Sequence, residues 1–219
     1  MTVRILNKQP PPDDKKPLSL RKKPVQSRAL ITLGALQESF VRVLVERGYE
    51  KMTIREVAAV AGIGVGTFYD YVPNLRALAA STIHKRCMDT ASILQSTVAA
   101  QKGQDIQTIV KALLQALVTE GFGRPKEWTA LLLLERQVSS AAALRKIHET
   151  YVQVWADAIR LSEVNIPSAK ITPVARMAHS LSYGWYSHDL LFYTDDPQHS
   201  RSIAEIASAI EGIIQLATN

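Results

Sequence analysis

Apolar residues recur every three or four positions along most of this chain, the spacing that places them on one face of an α-helix. The first such stretch runs from Ser27 to about Arg47, and Gly48 follows it as a residue suited to end a helix. Its apolar face consists of Leu30, Leu33, Leu36, Phe40, Val43 and Leu44. The pattern predicts one long amphipathic helix near the N-terminus.

Two short helices and a fourth, longer helix are predicted next. Thr53 and Glu56 have the spacing of a capping box, in which each side chain bonds the backbone N–H of the other residue. This signal begins a second helix that ends at Gly62, and a third helix follows from about Val65 to Tyr71. Asn74 is a good N-cap for a fourth helix, which we expect to run into the nineties.

The second and third helices have the lengths and the short turn of a helix-turn-helix, an arrangement that proteins use to bind DNA. Ala58 is small, as needed where the two helices cross, and Gly62 suits a turn that requires a positive φ. Ile63 and Phe68 are spaced to close the angle between the helices against the first helix. The alternative is a generic helical hairpin within a bundle, and these details favour the DNA-binding interpretation.

The remainder of the chain shows only helical patterns and no strand alternation. Further helices are predicted at about 104–120, 126–138, 140–163, 170–193 and 199–217, separated by breaks at 121–125, 165–167 and 195–197. The expected fold is all-α, with a three-helix helix-turn-helix domain followed by a helical bundle. We predict a flexible basic arm at 1–26, a helix-turn-helix domain at 27–74, and a helical domain at 75–219, to which only the family resemblance described below assigns effector binding and dimerisation.

The last two predicted helices carry continuous apolar stripes. The final stripe contains Ile203, Ile206, Ala207, Ile210, Ile213 and Ile214, and the preceding stripe contains Val174, Ala178, Leu181, Trp185 and Leu191. Two such helices can form half of a four-helix interface between two copies of the chain. The alternative is that the stripes close the core of a single copy.

The net charge of +6 lies entirely in the N-terminal leader. Residues 1–28 contain eight basic and two acidic residues, whereas the rest of the chain contains 18 of each. Five prolines in the same leader oppose helix formation, so a flexible arm is expected. The arm either adds nonspecific attraction to DNA phosphates, because their neutralisation releases counterions, or is a solvated terminus without a partner.

Several classes of protein do not fit this sequence. No apolar run reaches the roughly 18 residues of a membrane span, and the N-terminus lacks the apolar core of a secretory signal. Cys87 is the only cysteine, so no internal disulfide forms and a reduced, cytoplasmic location is expected. His179 and His188 lie too far apart on one helix to share a metal ion. We predict no catalytic residues, no metal site and no cofactor.

Five short segments resemble the TetR/AcrR family of bacterial regulators. They are ERGYE at 46–50, TIREVA at 53–58, AGI at 61–63, GTFY at 66–69 and YVPN at 71–74. The resemblance runs from the first helix into the fourth and combines glycines, a helix cap and aromatic residues at the spacing of the family. It implies a DNA-binding domain followed by a helical domain that dimerises and binds an effector. Beyond about residue 80, no motif supports it.

The resemblance implies DNA contacts for eight residues. Those on or beside the recognition helix in the major groove are Val65, Gly66, Thr67, Tyr69, Asp70 and Tyr71, and those facing the DNA backbone are Thr53 and Arg55. Thr67 and Tyr69 are expected to bond phosphates, which fixes the register of the protein rather than reading the sequence. Phe68 is expected in the core.

Two positions depart from the family pattern. Gly64 stands where the family usually has serine, so the third helix lacks a side-chain cap there. Leu75 stands where the family usually has a lysine that helps to hold a phosphate. Arg76 or the basic arm is a candidate substitute for that lysine. Because the recognition helix offers few strong hydrogen-bonding side chains, we expect the shape of the DNA to contribute to recognition.

The resemblance also implies an effector pocket in the C-terminal domain. The candidate contacts are Trp128, Leu131, Tyr151, Trp155, Tyr183 and Trp185, which suit a small lipophilic or aromatic effector. For each of them the alternative is plain core packing. We also expect a homodimer through the last two helices, because two recognition helices spaced by one turn of DNA read a palindromic operator.

The sequence therefore predicts a sequence-specific, DNA-binding transcriptional regulator, and in particular a repressor that a small effector releases from double-stranded operator DNA. The main alternative is an interaction protein that uses its basic arm on nucleic acid or an anionic membrane, without specific operator binding. A second alternative is an all-helical enzyme, which would need convergent catalytic groups that the sequence does not offer at recognisable spacing. No membrane partner is expected for the regulator.

Overall fold

The computed structural model describes residues 27–193 and 202–218, and every regular element in these two ranges is helical. The helices are α1 (Ser27–Arg47), α2 (Ile54–Val60), α3 (Val65–Tyr71), α4 (Leu75–Ala100), α5 (Ile106–Phe122), α6 (Pro125–Val138), α7 (Ala141–Leu161), α8 (Ser168–Phe192) and α9 (Ile203–Leu216). The predicted all-α fold is confirmed. The basic arm at 1–26 and the predicted break at 195–197 lie outside the described residues.

The helix caps and the glycine turn predicted from the sequence are present in the structure. The backbone N–H of Glu56 donates to Thr53 Oγ1 at 3.2 Å, and the N–H of Thr53 donates to Glu56 Oε2 at 3.0 Å, which completes the capping box of α2. Asn74 Oδ1 accepts from the N–H of Ala77 at 2.8 Å and caps α4. Gly62, in the turn between α2 and α3, has a φ of +69°, a conformation that favours glycine.

The first three helices pack together at one end of a single apolar core that continues into the rest of the described chain. Phe68 of α3 and Val57 of α2 have no exposed surface, and both belong to the apolar cluster that includes Leu36 and Phe40 of α1. The predicted core position of Phe68 is confirmed. Since α3 has only seven residues, its orientation depends on this packing rather than on helix propensity.

The helix α4 connects the two halves of the molecule. It packs against α1 on one side and against α5, α6 and α7 on the other. The link that precedes it, from Val72 to Asn74, is buried, so the start of α4 is fixed against the end of α3. The helices α7, α8 and α9 complete the bundle, with α8 in contact with α5, α6, α7 and α9.

The apolar stripe of α9 closes the core of a single chain over part of its width. Ala207, Ile210 and Ile214 are buried where α9 packs on α5 and α8, while Ile206 and Ile213 stay half-buried. The buried side of the stripe therefore belongs to the core of a single chain, and dimerisation through the rest of the stripe stays a prediction.

Arg86 joins three helices through ion pairs. This α4 residue contacts Glu38 of α1 at 2.7 Å and Glu127 of α6 at 2.8 Å, and only 11% of its side chain is exposed. Glu127 also pairs with Arg124 at 3.3 Å. The pairs fix α6, which belongs to the C-terminal bundle, against the first helix of the DNA-binding half.

We expect Arg86→Met to lower the free energy of unfolding by about 1–2 kcal/mol. Methionine keeps much of the apolar stem but leaves the largely buried Glu127 with Arg124 as its remaining partner. Urea unfolding at a fixed protein concentration measures the loss. The matched control is Glu38→Gln, which removes the exposed partner and should cost less than about 1 kcal/mol. Equal losses in the two variants would contradict a structural role for the Arg86–Glu127 pair.

Candidate DNA interface and effector cavity

The eight residues expected to contact DNA lie on one continuous part of the N-terminal half. Val65, Gly66, Tyr69 and Asp70 are exposed on α3, Thr67 and Tyr71 are half-buried there, and Thr53 and Arg55 are exposed at the start of α2. Tyr69 shows 38% of its surface beside the fully buried Phe68, and their rings meet edge to face with centroids 5.5 Å apart. The recognition helix therefore presents one face outward while the opposite face holds it to the core.

The two departures from the family pattern have clear structural consequences. Gly64 precedes α3 without a side-chain hydrogen bond, as its lack of a hydroxyl predicts. Leu75, the first residue of α4, is half-buried and packs against the core. Arg76 Nη2 donates to the backbone carbonyl of Gln137 at the end of α6, at 3.4 Å.

The C-terminal bundle encloses a cavity of about 450 Å³. Its wall consists of Ile83, Cys87 and Thr90 of α4, Leu117 of α5, Trp128, Leu131, Leu132, Glu135 and Arg136 of α6, Leu144, Ile147, His148, Tyr151 and Trp155 of α7, and His179, Ser182, Tyr183 and Tyr186 of α8. Most of this wall is apolar or aromatic, with a few polar groups, which is the usual composition of a small-molecule site.

Five of the six residues expected to contact an effector line this cavity: Trp128, Leu131, Tyr151, Trp155 and Tyr183. Trp185 does not line this cavity, and its contact with an effector stays a prediction. The α8 wall residues recur three and four positions apart, from His179 through Tyr183 to Tyr186, and Trp185 lies off that stripe. It is half-buried against the core instead.

Sequence reasoning missed most of the polar wall. Glu135, Cys87 and His148 belong to no motif, and His179 was considered only as a metal ligand. The structure brings the two histidine rings together across α7 and α8, with centroids 4.9 Å apart, and stacks His179 on Tyr151 at 5.5 Å. No local pattern signals a contact between residues on two different helices. Among the described residues, no group of three or more histidine, cysteine or acidic residues could hold a metal ion.

Burial keeps three side chains of the wall, Cys87, Tyr151 and His179, neutral. It raises the pKa of the Cys87 thiol to about 12, helped by the nearby Glu135 carboxyl, and it raises the pKa of the Tyr151 phenol. Burial together with the neighbouring His148 lowers the pKa of His179 to about 4. The Tyr151 hydroxyl donates to the carbonyl of Cys87 at 3.0 Å. At neutral pH these groups offer hydrogen bonds without charge.

Gly121, near the end of α5, has a specific packing role at the cavity. A Cβ atom at this position would overlap the ring of Tyr186, which lines the cavity. Phe122 meets the same ring edge to face, with centroids 6.2 Å apart. The absence of a side chain at Gly121 therefore sets the position of Tyr186 and, with it, the shape of this part of the wall.

A helix-turn-helix joined to a helical domain with an apolar cavity is the architecture of a ligand-responsive, DNA-binding regulator. Residues 40–82 match the family model of the bacterial regulatory proteins of the tetR family. Comparison with curated protein sequences gave no match. No helix in residues 27–193 and 202–218 has the length and hydropathy needed to cross a bilayer.

Solved structures of TetR-family regulators share the fold. The fatty acid degradation regulator FadR from Bacillus halodurans is 15% identical over 86% of this chain and 95% of that chain, with a TM-score of 0.60. FadR from Bacillus subtilis, in complex with stearoyl-CoA, is 13% identical over 85% of this chain and 97% of that chain, with a TM-score of 0.59. A TetR-family regulator from Mesorhizobium loti is 12% identical over 87% of this chain and 96% of that chain, with a TM-score of 0.65.

Residues 40–82 of this chain are therefore similar to the DNA-binding region of the tetR family, and the chain shares the fold of the solved TetR-family regulators. Regulators of this family bind DNA, dimerise and bind small-molecule effectors, and the family is regulatory rather than enzymatic. The interpretation of α2 and α3 as a DNA-binding helix-turn-helix is confirmed, and the generic hairpin considered as its alternative is not supported.

Proposed function

We propose that this regulator is a dimeric repressor that holds operator DNA in the absence of effector and releases it when a small lipophilic or aromatic molecule fills the cavity. It would act in the cytoplasm on a palindromic operator, with residues 27–74 binding DNA and residues 75–219 binding effector and partner. The observation that carries the proposal is the continuity of α4, which begins next to the recognition helix and lines the cavity further along.

The path between cavity and DNA-binding half is short. Ile83, the first wall residue on α4, lies eight residues beyond the helix start, a rise of about 12 Å. The helix α6 provides five further wall residues and is tied to α1 through the Arg86 ion pairs. An effector that binds better to another arrangement of α4 and α6 would shift the population towards it and move the recognition helices off operator spacing.

The dimer interface proposed here uses α8 and α9. Met177 and Phe192 of α8 expose 55% and 68% of their surface, and Leu216 of α9 exposes 76%, so apolar area remains uncovered on these helices in a single chain. Burial of such area against a second copy is favourable. A dimer would hold two recognition helices at the spacing of successive major grooves, which a palindromic operator requires.

The proposal is tested by fluorescence anisotropy of the full chain on the DNA upstream of its own gene and on a scrambled control, across a salt series. We expect a preference of about a thousandfold or more for the upstream DNA, with a steep decrease in affinity as salt rises. Equal and weak binding to both DNAs, lost entirely when residues 1–26 are removed, would favour the interaction protein that acts through its arm alone.

Deletion of residues 1–26 is expected to weaken binding to upstream and scrambled DNA by about tenfold each and to reduce the slope of log affinity against log salt by at least about 2. The reason is that the deleted arm carries seven basic and two acidic residues, which attract phosphates without reading bases. The ratio between the two affinities should stay within about threefold. An unchanged salt slope would instead identify the arm as a solvated terminus without a partner.

A further inference from the structure

The short helix α3 turns one face outward, and two residues form the centre of that face. The fully buried Phe68 marks the side of α3 that packs on the core. Gly66 and Asp70 each lie two positions from Phe68, which places both about 160° from it around the helix. Both are exposed, and their spacing of four positions puts them one above the other. They are therefore the residues of α3 that point most directly away from the protein.

Thr67 and Tyr69 occupy the two sides of the same face. They lie one position before and one position after Phe68, about 100° from it in opposite directions. The family resemblance implies that both residues bond phosphates, and their opposite directions suit contacts with the backbones on the two sides of a major groove. A helix held in this way turns its centre, where Gly66 and Asp70 lie, towards the edges of the bases.

Neither Gly66 nor Asp70 is explained by the packing of the protein. A Cβ atom at Gly66 would have no neighbour within 4 Å and the φ of Gly66 is not positive, so the fold does not require glycine there. Glycine inside a helix is also less favourable than alanine. Asp70 lies in the last turn of α3, where the partial negative charge of the helix C-terminus disfavours a carboxylate. Two exposed residues that disfavour their own helix on one face are typical of a binding surface.

The carboxylate of Asp70 has no partner within the described chain. No group in residues 27–193 and 202–218 forms a hydrogen bond or an ion pair with this side chain. On DNA the phosphates repel a carboxylate, so Asp70 is favourable in the interface only where it accepts a hydrogen bond from a base. The major groove offers two such donors, the N4 amino group of cytosine and the N6 amino group of adenine. Adenine presents the N7 acceptor beside its amino group, which repels the second carboxylate oxygen, whereas cytosine presents the donor alone.

We propose that Asp70 selects cytosine: its carboxylate accepts a hydrogen bond from the N4 amino group of one cytosine in each half of the operator, and Gly66 lets the backbone of α3 approach the base edges. This inference rests on the proposed function and deepens it, because it names a base that the regulator reads. A palindromic operator would then carry one C·G pair in each half-site, in the same orientation relative to its centre.

The base preference is measured by selection of bound duplexes from a random pool by the full chain, followed by sequencing. The wild type should enrich a palindrome with a C·G pair at one fixed position of each half-site. Asp70→Asn should enrich the same palindrome with A·T at that position, since an asparagine side chain bonds N6 and N7 of adenine. Loss of the cytosine preference at that position alone would also support the assignment. Unchanged preferences, a change at a position without cytosine, or no enrichment by the folded variant would overturn it.

Anisotropy on two duplexes then gives the size of the effect: the selected operator, and the same operator with A·T at the two assigned positions. The wild type should bind the first at least about tenfold more tightly, and Asp70→Asn should bind the second more tightly. The control Asp89→Asn removes the same charge from an exposed position in the middle of α4 and should keep the preference of the wild type. It accounts for the general gain in DNA affinity that follows removal of a negative charge.

Urea unfolding separates base reading from protein stability. Asp70→Asn and Gly66→Ala should each be at least as stable as the wild type, because each replaces a residue that disfavours the helix. Gly66→Ala should nonetheless bind the selected operator about tenfold more weakly, since the added methyl group holds α3 away from the base edges. Unchanged operator affinity in Gly66→Ala would overturn the close approach of the backbone.

The same selection distinguishes failure of this inference from failure of the proposed function. A wild type that enriches no palindrome would contradict specific operator binding and overturn both. A palindrome whose base preferences remain intact in Asp70→Asn would support the proposed function and overturn the role of Asp70 alone.

Discussion

The Tyr69→Ala variant is expected to bind operator DNA about a hundredfold more weakly than the wild type, with a nearly unchanged free energy of unfolding. Tyr69 is exposed on α3, at the position where the family resemblance implies a phosphate contact. A hydrogen bond to a charged group contributes about 1.5 kcal/mol, and a dimer loses two such contacts on one palindromic site. The combined loss of about 3 kcal/mol corresponds to roughly two orders of magnitude in affinity.

The neighbouring residue provides the matched control. Phe68→Ala empties a fully buried position beneath the recognition helix and should lower the free energy of unfolding by about 3–4 kcal/mol. Its loss of operator binding would therefore come with a lower unfolding midpoint, whereas that of Tyr69→Ala would not. Tyr69→Phe identifies the group involved: if the hydroxyl bonds the phosphate, this variant shows most of the loss.

Anisotropy on operator DNA and urea unfolding measure the two effects separately. Because tyrosine carries no charge, the salt dependence of binding in Tyr69→Ala should equal that of the wild type, unlike in the variant without residues 1–26. Operator affinity within threefold of the wild type would show that Tyr69 does not contact DNA.

The second large effect concerns acid stability and arises from His179. This side chain is only 7% exposed, and its pKa falls from about 6.5 in the unfolded chain to about 4 in the folded protein, through burial and the nearby His148. The unfolded chain therefore binds a proton between these values while the folded protein does not. Neutral His179 contributes about 3 kcal/mol to the free energy of unfolding. This contribution is complete above pH 6.5 and is lost as the pH falls towards 4.

The test compares wild type and His179→Gln by urea unfolding at pH 7.5, 5.5 and 4.5, at one protein concentration. We expect the wild type to lose about 2–3 kcal/mol more than the variant between the highest and lowest pH. The difference between the proteins is needed because Glu135, whose pKa is raised by burial, changes stability with pH in the opposite direction. Parallel losses in the two proteins would show that His179 does not control acid stability.

His188→Gln is the matched control for loss of an imidazole from the same helix, since His188 is exposed. The groups that face His179 are His148, Tyr151 and Tyr183, all within ring-contact distance. Burial disfavours the protonated imidazole, and none of these three groups is a carboxylate that could offset that cost.

Features determined over a few adjacent residues could be predicted from the sequence. The capping box of Thr53 and Glu56 and the positive φ of Gly62 depend on contacts within one or two helical turns, and both formed as expected. The apolar periodicity likewise predicted the helices, because one helical face must be buried whatever its partner. These local signals were sufficient to predict the helix-turn-helix of the N-terminal half and its resemblance to the TetR/AcrR family.

The cavity illustrates the limit of that reasoning. Aromatic content and the family resemblance together indicated five of its wall residues. The sixth, Trp185, does not line the cavity, because a difference of one or two positions around α8 decides which side chains reach it. Glu135 was not singled out, because a glutamate on an amphipathic helix is usually solvated. Only the packing of α4, α6, α7 and α8 removes its carboxyl group from water.

The sequence by itself determined the helices, their caps, the turn of the helix-turn-helix and the location of the net charge in the N-terminal leader, because each follows from neighbouring residues or from composition. The tertiary structure decided which side chains meet. It brought His148 into contact with His179, joined Arg86 to two other helices and placed Glu135 in the wall of an aromatic cavity. These contacts join residues far apart in the chain, and their energies depend on burial, which no local pattern specifies.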